Sequence, residues 1–336
     1  MNKKRQVFFN CNHLGELPVS VAVYSLLKSA DPSRDLHVFV AHDSGFAENG
    51  AKGRVQSVVD RFAFARVTFI NFDPIFAKYA DRLTCELNQW TSMVWALCCF
   101  PELIPDITDN LVFLDWDTFV YHDLGELYDM DLSTGNWIGA AVSESLREHR
   151  PYLVKAGWPE SAGYSVNYGV QVVDTASYRR EHVMERMLDW YAKNKNLAVC
   201  AEQDALNVLF GDRIRRLPPK YNLFATFLEQ IVRVNPFGRQ WRVHPTREVF
   251  QAVSDPSVVH FIGSKKPWRN SFRSFRNDYR RAMREIGFTD PIPGETAGDR
   301  LLGALADAGH GLLRMYARVM TGLFFRQPSQ APRTGT

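Results

Sequence analysis

Short apolar runs recur along the chain, and each stops at a cluster of polar residues. Gln6 to Asn10, Leu36 to Ala41 and Arg66 to Asn71 are such runs and read as strands. Between them lie helical stretches, Leu17 to Ser29 and Gly53 to Phe62. This alternation predicts an α/β fold, a mixed and mainly parallel sheet with helices on both faces. Leu87 to Leu103 reads as one apolar helix. Leu111 to Val120 (LVFLDWDTFV) then reads as a buried strand that breaks off into Asp115 and Asp117. Trp137 to Val142 and Asn167 to Val173 are further strands, followed by a long helix at Ala176 to Asn194 and a shorter one at Glu202 to Phe210. Leu217 to Asn222 is a turn or extended segment, and Val258 to Ile262 is the last strand. From about Thr289 the composition shifts to Gly, Ala and Pro. Residues 1–288 therefore form the main domain and 289–336 a linker with a basic amphipathic tail, its last ten residues disordered.

Ligands of open α/β sheets bind beyond the carboxyl ends of the strands. Asp115 and Asp117 stand at such an end. In an extended backbone, residues two apart point to one side, so the two carboxylates can converge on a hard cation, Mn²⁺ or Mg²⁺. A plain polar turn would look the same. His260 lies inside the last apolar strand, where a histidine is more often a core residue. Here Gly263 and the pair Lys265-Lys266 follow at once. A glycine lets the backbone approach a ligand, and lysine suits phosphate. Together these residues describe a metal-diphosphate site. Asp115, Asp117 and His260 hold the ion, and Lys266 neutralises phosphate oxygens.

Composition adds limits. The 336 residues are 46% hydrophobic and 23% charged, enough for an ordinary core, and the net charge of +3 gives no argument for nucleic acid. Five cysteines at irregular spacing (Cys11, Cys85, Cys98, Cys99, Cys200) form neither a disulfide framework nor a zinc pattern. They read as reduced core thiols. The basic start Met1–Arg5 is not followed by a signal peptide's apolar region. The expected location is cytoplasmic, peripheral on the inner face of a membrane.

Four segments occur in an order that resembles family-8 retaining glycosyltransferases, the group of lipopolysaccharide hexosyltransferases and glycogenin. They are Leu114-Asp115-Trp116-Asp117, Asn167-Tyr168-Gly169-Val170, Glu202-Gln203-Asp204-Ala205-Leu206-Asn207 and His260 to Trp268. The resemblance spans roughly residues 6 to 270. It implies a GT-A fold and a nucleotide-sugar donor, usually a UDP-hexose, with a glycan or lipid-linked glycan as acceptor. It also implies that Asp115, Asp117 and His260 bind Mn²⁺, that Gly263 and Lys266 hold the diphosphate, and that Asn167 and Glu202 lie near the donor sugar. Gln203 would sit beside the anomeric carbon, where an amide gives electrostatic help rather than acting as a nucleophile. The chain departs from the family at the first strand's end. Cys11 or Asn12 replaces an aspartate, and His13 or Leu14 replaces the aromatic that stacks on uracil. Cys11 and His13 are accordingly the candidates for contacting the nucleotide. The family's arginine before the metal strand is missing, with Trp95-Ala96-Leu97 in its region. Ser143 and Glu144 stand in for a displaced acid.

Two stretches point to a membrane surface. Lys265 to Arg284 holds eight basic residues and one acid, with Phe272, Phe275, Tyr279 and Met283 at helical spacing. An Arg269–Arg284 helix would offer its cationic face to an anionic leaflet. Asp299 to Phe325 is a basic amphipathic helix that can lie on lipid or dock on its own domain. Two rival readings remain for the whole chain. One is a catalytically impaired sugar-nucleotide or glycan-binding protein. The other is a phosphatase, because Asp115-Trp116-Asp117-Thr118 resembles a DxDxT nucleophile motif, although Gly211-Asp212 lacks the second acid that chemistry needs.

Overall fold

The computed structural model describes residues 4–83, 92–133, 135–143, 150–158, 165–225, 244–264, 266–269, 274–290, 292 and 295–324. β1 (Arg5–Cys11), β2 (Leu36–His42) and β3 (Ala65–Asn71) run parallel, linked by α1 (Glu16–Ser29) and α2 (Ala51–Val59). β4 (Leu111–Leu114) lies parallel to β1 on its other side. β5 (Thr118–Val120) leaves this sheet, and β6 (Ile138–Ser143) and β7 (Ser165–Val173) return to it. β7 pairs antiparallel with both β4 and β6, which makes the sheet mixed. With β8 (Ile214–Leu217) parallel to β6, seven strands stand in the order β3-β2-β1-β4-β7-β6-β8. β9 (Leu223–Phe224) and β10 (Val258–His260) join β5 in a second sheet, ordered β5-β10-β9.

The central strands are apolar on both faces, so alternate residues feed two cores. Val7, Phe9, Val112 and Leu114 pack with Val19, Val23 and Leu27 of α1. Phe8 and Phe113 point the other way and meet edge to face at 5.6 Å among Trp95, Phe100 and Tyr191. Cys98 and Cys99 are buried free thiols in that second core, Cys11 is a buried free thiol in the first, and Cys200 is a half-buried free thiol; Cys85 lies outside the described residues.

Three helices differ from expectation. In Leu87 to Leu103, residues 84–91 fall outside the described part. The rest is a 3-10 turn, Ser92–Ala96, and a four-residue helix, Phe100–Leu103, with proline in its first turn. Pro101 has no N–H, and its ring would clash with the carbonyl four residues back, so one helix cannot run through it. The long helix is two, α3 (Thr175–Arg180) and α4 (Val183–Asn194), separated at His182 with φ 50°. Asp174 caps α3 by accepting from the Ser177 amide at 2.6 Å. α5 (Ala201–Phe210) is as expected, and α6 (Thr246–Ser254) precedes β10.

The basic helix is shorter than Arg269–Arg284. It is α7 (Arg276–Glu285), entered through Phe275 at φ 65°. Residues 270–273 lie outside the described part. The last helix, α8 (Ala297–Phe324), opens with a reciprocal cap. The Thr296 hydroxyl accepts from the Asp299 amide at 3.1 Å, and Asp299 accepts from the Thr296 amide at 2.8 Å. α8 docks on α6 and α7. Glu295, just before it, pairs with both Arg276 and Arg280, and His310 meets the Ser274 hydroxyl at 3.0 Å. Arg276 and Arg280 are therefore engaged inside the domain, which corrects the expectation of one cationic face; Arg269, Arg281 and Arg284 remain exposed. Residues 325–336, which include the tail expected to be disordered, lie outside the described part. Among the described residues, no helix is long and apolar enough to cross a membrane.

Candidate active site

The Asp-Trp-Asp stretch is a turn that carries the chain from one sheet to the other. The Asp115 amide donates to the Gly169 carbonyl of β7 at 2.8 Å, which ends β4 against its neighbour. The Thr118 amide and hydroxyl both return to the Asp115 carbonyl, at 3.2 and 2.7 Å. β5 then pairs with β10, where Thr118 faces His260 across the ladder. The Phe261 amide holds the Asp117 carbonyl at 2.9 Å. The carboxylates thus converge because the turn joins two sheets, and not through the same-side alternation of an extended strand.

His260 completes the cluster. Its Nε2 lies 3.1 Å from Asp117 Oδ1 and 3.5 Å from Asp115 Oδ2, and one ligand atom from each residue falls within 4.8 Å of the others. Adjacent ligands around an octahedral ion with bonds of ~2.1 Å stand ~3 Å apart, so the set fits a small divalent cation. On its other side, His260 Nδ1 is 3.0 Å from Asn222 Oδ1. An amide oxygen only accepts, so Nδ1 carries a proton, and Nε2, turned to the two carboxylates, is the nitrogen that would meet a metal. Gly169 makes the room. A Cβ there would stand 2.3 Å from His260 Cε1 and 2.5 Å from Asp115 Oδ2.

The carboxylates are not equivalent. Burial would raise Asp117, yet Lys266 and His260 outweigh it and hold its carboxyl well below the ordinary range. Burial pushes Asp115 up to about 6, against the pull of His260 and with the charge of Asp117 adding to the rise. Side-chain exposures of 8% for Asp117 and 31% for Asp115 put Asp115 on the open side. A divalent cation would hold both ionised. Lys266 is anchored by the Phe261 carbonyl at 2.7 Å and by Asp117. It follows Gly263, whose φ of 78° is natural only to glycine. Lys265 lies outside the described residues.

The second constellation sits on β7 and α5. Gln203 Oε1 accepts from the Tyr168 amide and from Asn167 Nδ2, each at 3.0 Å. The backbone donor fixes which end of the amide is oxygen, so the Gln203 NH₂ is turned away from these partners. Asp204 receives the Val199 and Cys200 amides at 2.7 and 2.8 Å, and Ala201 takes φ 34° where α5 begins. This folded-back start sets Glu202 and Gln203. Burial pushes the Glu202 carboxyl well up, and nearby Asp115 adds to the rise. At the end of β1, the Cys11 side chain is buried in the core and burial pushes its thiol up. His13 is exposed, and its amide and Nδ1 are each held by Asp43 Oδ2 at 3.0 Å. Leu14 beside it is 69% exposed. Glu144 lies outside the described residues.

The metal-type triad, Lys266, Asn167 and Gln203 are thus brought together, with Cys11 turned into the core. Sequence reasoning passed over two residues. In the sequence Asn222 only closes a turn or extended segment, and Gly169 is only one letter of a motif. Its value as missing volume carries no periodic signal.

A family model described as glycosyl transferase family 8 matches residues 7–271. The chain belongs to that family. As a family-8 member, it is 25% identical over 271 residues to General stress protein A of Bacillus subtilis, covering 80% of this chain and 87% of that one. Glycosyltransferase GlyE of Streptococcus pneumoniae is 25% identical over 201 residues, and the match spans only 41% of its length. Among solved structures, an active-site mutant of LgtC superposes with a TM-score of 0.69 at 21% identity, over 88% of this chain and 99% of that one. LgtC in complex with donor and acceptor sugar analogs gives 0.66 at 22% identity over the same shares. The fold is accordingly the LgtC-like GT-A fold with a long C-terminal helix. Membership implies a nucleotide-sugar donor and a sugar acceptor, and it leaves the phosphatase reading without support.

Proposed function

We propose that this protein is a retaining hexosyltransferase that takes a hexose from a UDP-sugar, requires Mn²⁺ or Mg²⁺, and acts on a glycan or lipid-linked glycan of cell-surface polysaccharide. The convergence of Asp115, Asp117 and His260 beside Lys266 carries the reading. A divalent cation in that triad would stabilise the diphosphate as negative charge grows on it. Lys266 neutralises the same oxygens from the Gly263 turn. His13 and Leu14 frame the base, with the buried Cys11 beneath them. Asn167 and Glu202 face the sugar, and Glu202, favoured in its neutral form, is a hydrogen-bond donor there. The Gln203 amide is a poor nucleophile and serves the positively charged sugar through its dipole. The carboxyls hold the ion rather than attack, so the new bond forms on the face the diphosphate leaves.

The test is hydrolysis and transfer across a panel of nucleotide sugars with Mn²⁺ or Mg²⁺, following the product anomer by NMR. Metal-dependent turnover with retention is expected. Inversion would overturn the stereochemical assignment, and binding without turnover would favour the sugar-nucleotide-binding reading. A narrower prediction concerns Lys266. Lys266→Ala should weaken UDP binding about 10- to 150-fold, the loss of a charge-assisted hydrogen bond worth about 1.5–3 kcal/mol. Calorimetric titration reads it, and an unchanged affinity would remove Lys266 from the diphosphate site.

The lipid-linked acceptor rests on α8. Its docked side is Gly303, His310 and Ala317, seven residues apart, while Leu302, Leu305, Leu312 and Val319 are exposed on another side. These exposed apolar residues form an interfacial surface for a leaflet on the cytoplasmic side, with Arg318 exposed on another side of the helix and Arg314 turned to the domain, over the Phe275 ring. Leu302→Ser with Leu305→Ser and Leu312→Ser should reduce co-sedimentation with anionic vesicles several-fold and leave donor hydrolysis intact. Equal sedimentation of the two forms would reject the tail as an anchor.

A further inference from the structure

Asn222 lies between a short turn, Pro219–Tyr221, and β9, and it is 5% exposed. It occupies the middle of a hydrogen-bond chain whose direction is fixed throughout. The Tyr168 and Gly169 amides can only donate, and they land on Gln203 Oε1 and Asn167 Oδ1, each at 3.0 Å. Asn167 therefore presents its NH₂ to Gln203, at 3.0 Å, and its oxygen to Asn222 Nδ2, at 2.9 Å. Only the oxygen of Asn222 remains for His260 Nδ1, at 3.0 Å. Two backbone N–H groups of β7 thus dictate, through two asparagines, that His260 Nδ1 is the protonated, outward nitrogen and that Nε2 is the one presented to Asp115 and Asp117. The side chain of Phe224, 5.9 Å from the His260 ring between centroids and nearly perpendicular to it, limits the ring's rotation from the β9 side.

We propose that Asn222 is a positioning residue that locks His260 in its metal-binding tautomer and ties that lock to the Asn167–Gln203 pair at the sugar. The inference rests on the metal reading above. Asn222 touches neither donor nor ion. Its donor end and its acceptor end serve different parts of the site, and substitution can separate them. Asn222→Ala removes both. Asn222→Asp keeps an acceptor for His260 but sets a carboxylate oxygen against Asn167 Oδ1.

Mn²⁺ affinity, read from the EPR signal of the free ion without any substrate, is the first measurement. Asn222→Ala should bind Mn²⁺ about 10- to 100-fold more weakly, the usual cost of losing a ligand's outer partner. Asn222→Asp should restore affinity to within a few-fold of the parent, yet keep a depressed kcat, because Asn167 loses its donor. The second measurement is the ¹⁵N spectrum of the histidine rings in metal-free protein, which distinguishes Nδ1–H from Nε2–H. Nδ1 of His260 should carry a proton in the parent and in Asn222→Asp, whereas in Asn222→Ala Nδ1 should be bare and the proton should lie on Nε2, which faces Asp117 Oδ1 at 3.1 Å. Unchanged Mn²⁺ affinity in Asn222→Ala, or an Asp variant as weak as Ala, would overturn the assignment. A parent that binds no Mn²⁺ would defeat the metal reading itself. The ring spectrum then still decides the lock, since an unprotonated Nδ1 in the parent overturns it.

Discussion

Asp117→Asn is expected to reduce donor turnover at saturating Mn²⁺ by at least about a hundredfold while the protein stays folded. The substitution keeps the shape of a side chain that is 8% exposed and removes its charge. That charge is favoured strongly here, since Lys266 and His260 hold the carboxyl low in spite of burial. With an amide at this position, the ion loses an anionic ligand and the Lys266 ammonium loses its nearest counter-charge. Removing one preorganised group that stabilises developing charge typically costs ~10²–10³ in kcat. Circular dichroism and the melting temperature check the fold, and a metal titration of activity checks the site. Near-normal turnover in this variant at the same Mn²⁺ concentration would mean that the cation is held elsewhere.

Gly169→Ala should be nearly as severe, although it adds one methyl group and touches no charge. The new Cβ would fall 2.3 Å from His260 Cε1 and 2.5 Å from Asp115 Oδ2. Neither neighbour can give way cheaply. His260 is held by Asn222, and Asp115 hangs from the Gly169 carbonyl itself. Relief requires opening the ligand set by the better part of an ångström, a displacement that can cost ~100-fold in rate. Overpacking of this kind also destabilises by about 1–3 kcal/mol. Gly53→Ala is the matched control, because nothing lies within 4 Å of its added methyl. Turnover and Mn²⁺ affinity should fall together in Gly169→Ala and stay level in Gly53→Ala. Activity within threefold of the parent for Gly169→Ala would show that the cluster tolerates a wider geometry than the fold describes.

Much of this protein could be read from the chain alone, because its physics is local. Uninterrupted apolar runs such as Phe8–Phe9 and Leu111–Leu114 announce strands covered on both faces, and both cores are built from their alternate residues. That Asp115, Asp117 and His260 belong to one cluster was legible from residue type and sequence order. The tertiary structure alone decided how these side chains meet. Asp115 and Asp117 converge because their turn bridges two sheets, and pairing of β5 with β10 depends on residues more than a hundred positions apart. Asn222 entered the site through a long-range hydrogen bond, and Gly169 through the absence of a side chain, neither of which leaves a periodic trace. The tail shows the same limit. Apolar spacing called for an amphipathic helix, but only packing against α6 and α7 settled that Ala317 is buried while Leu305 is 60% exposed. It was also packing that drew Arg276 and Arg280 inward to Glu295, because a run of like charges does not reveal which members will find a buried partner.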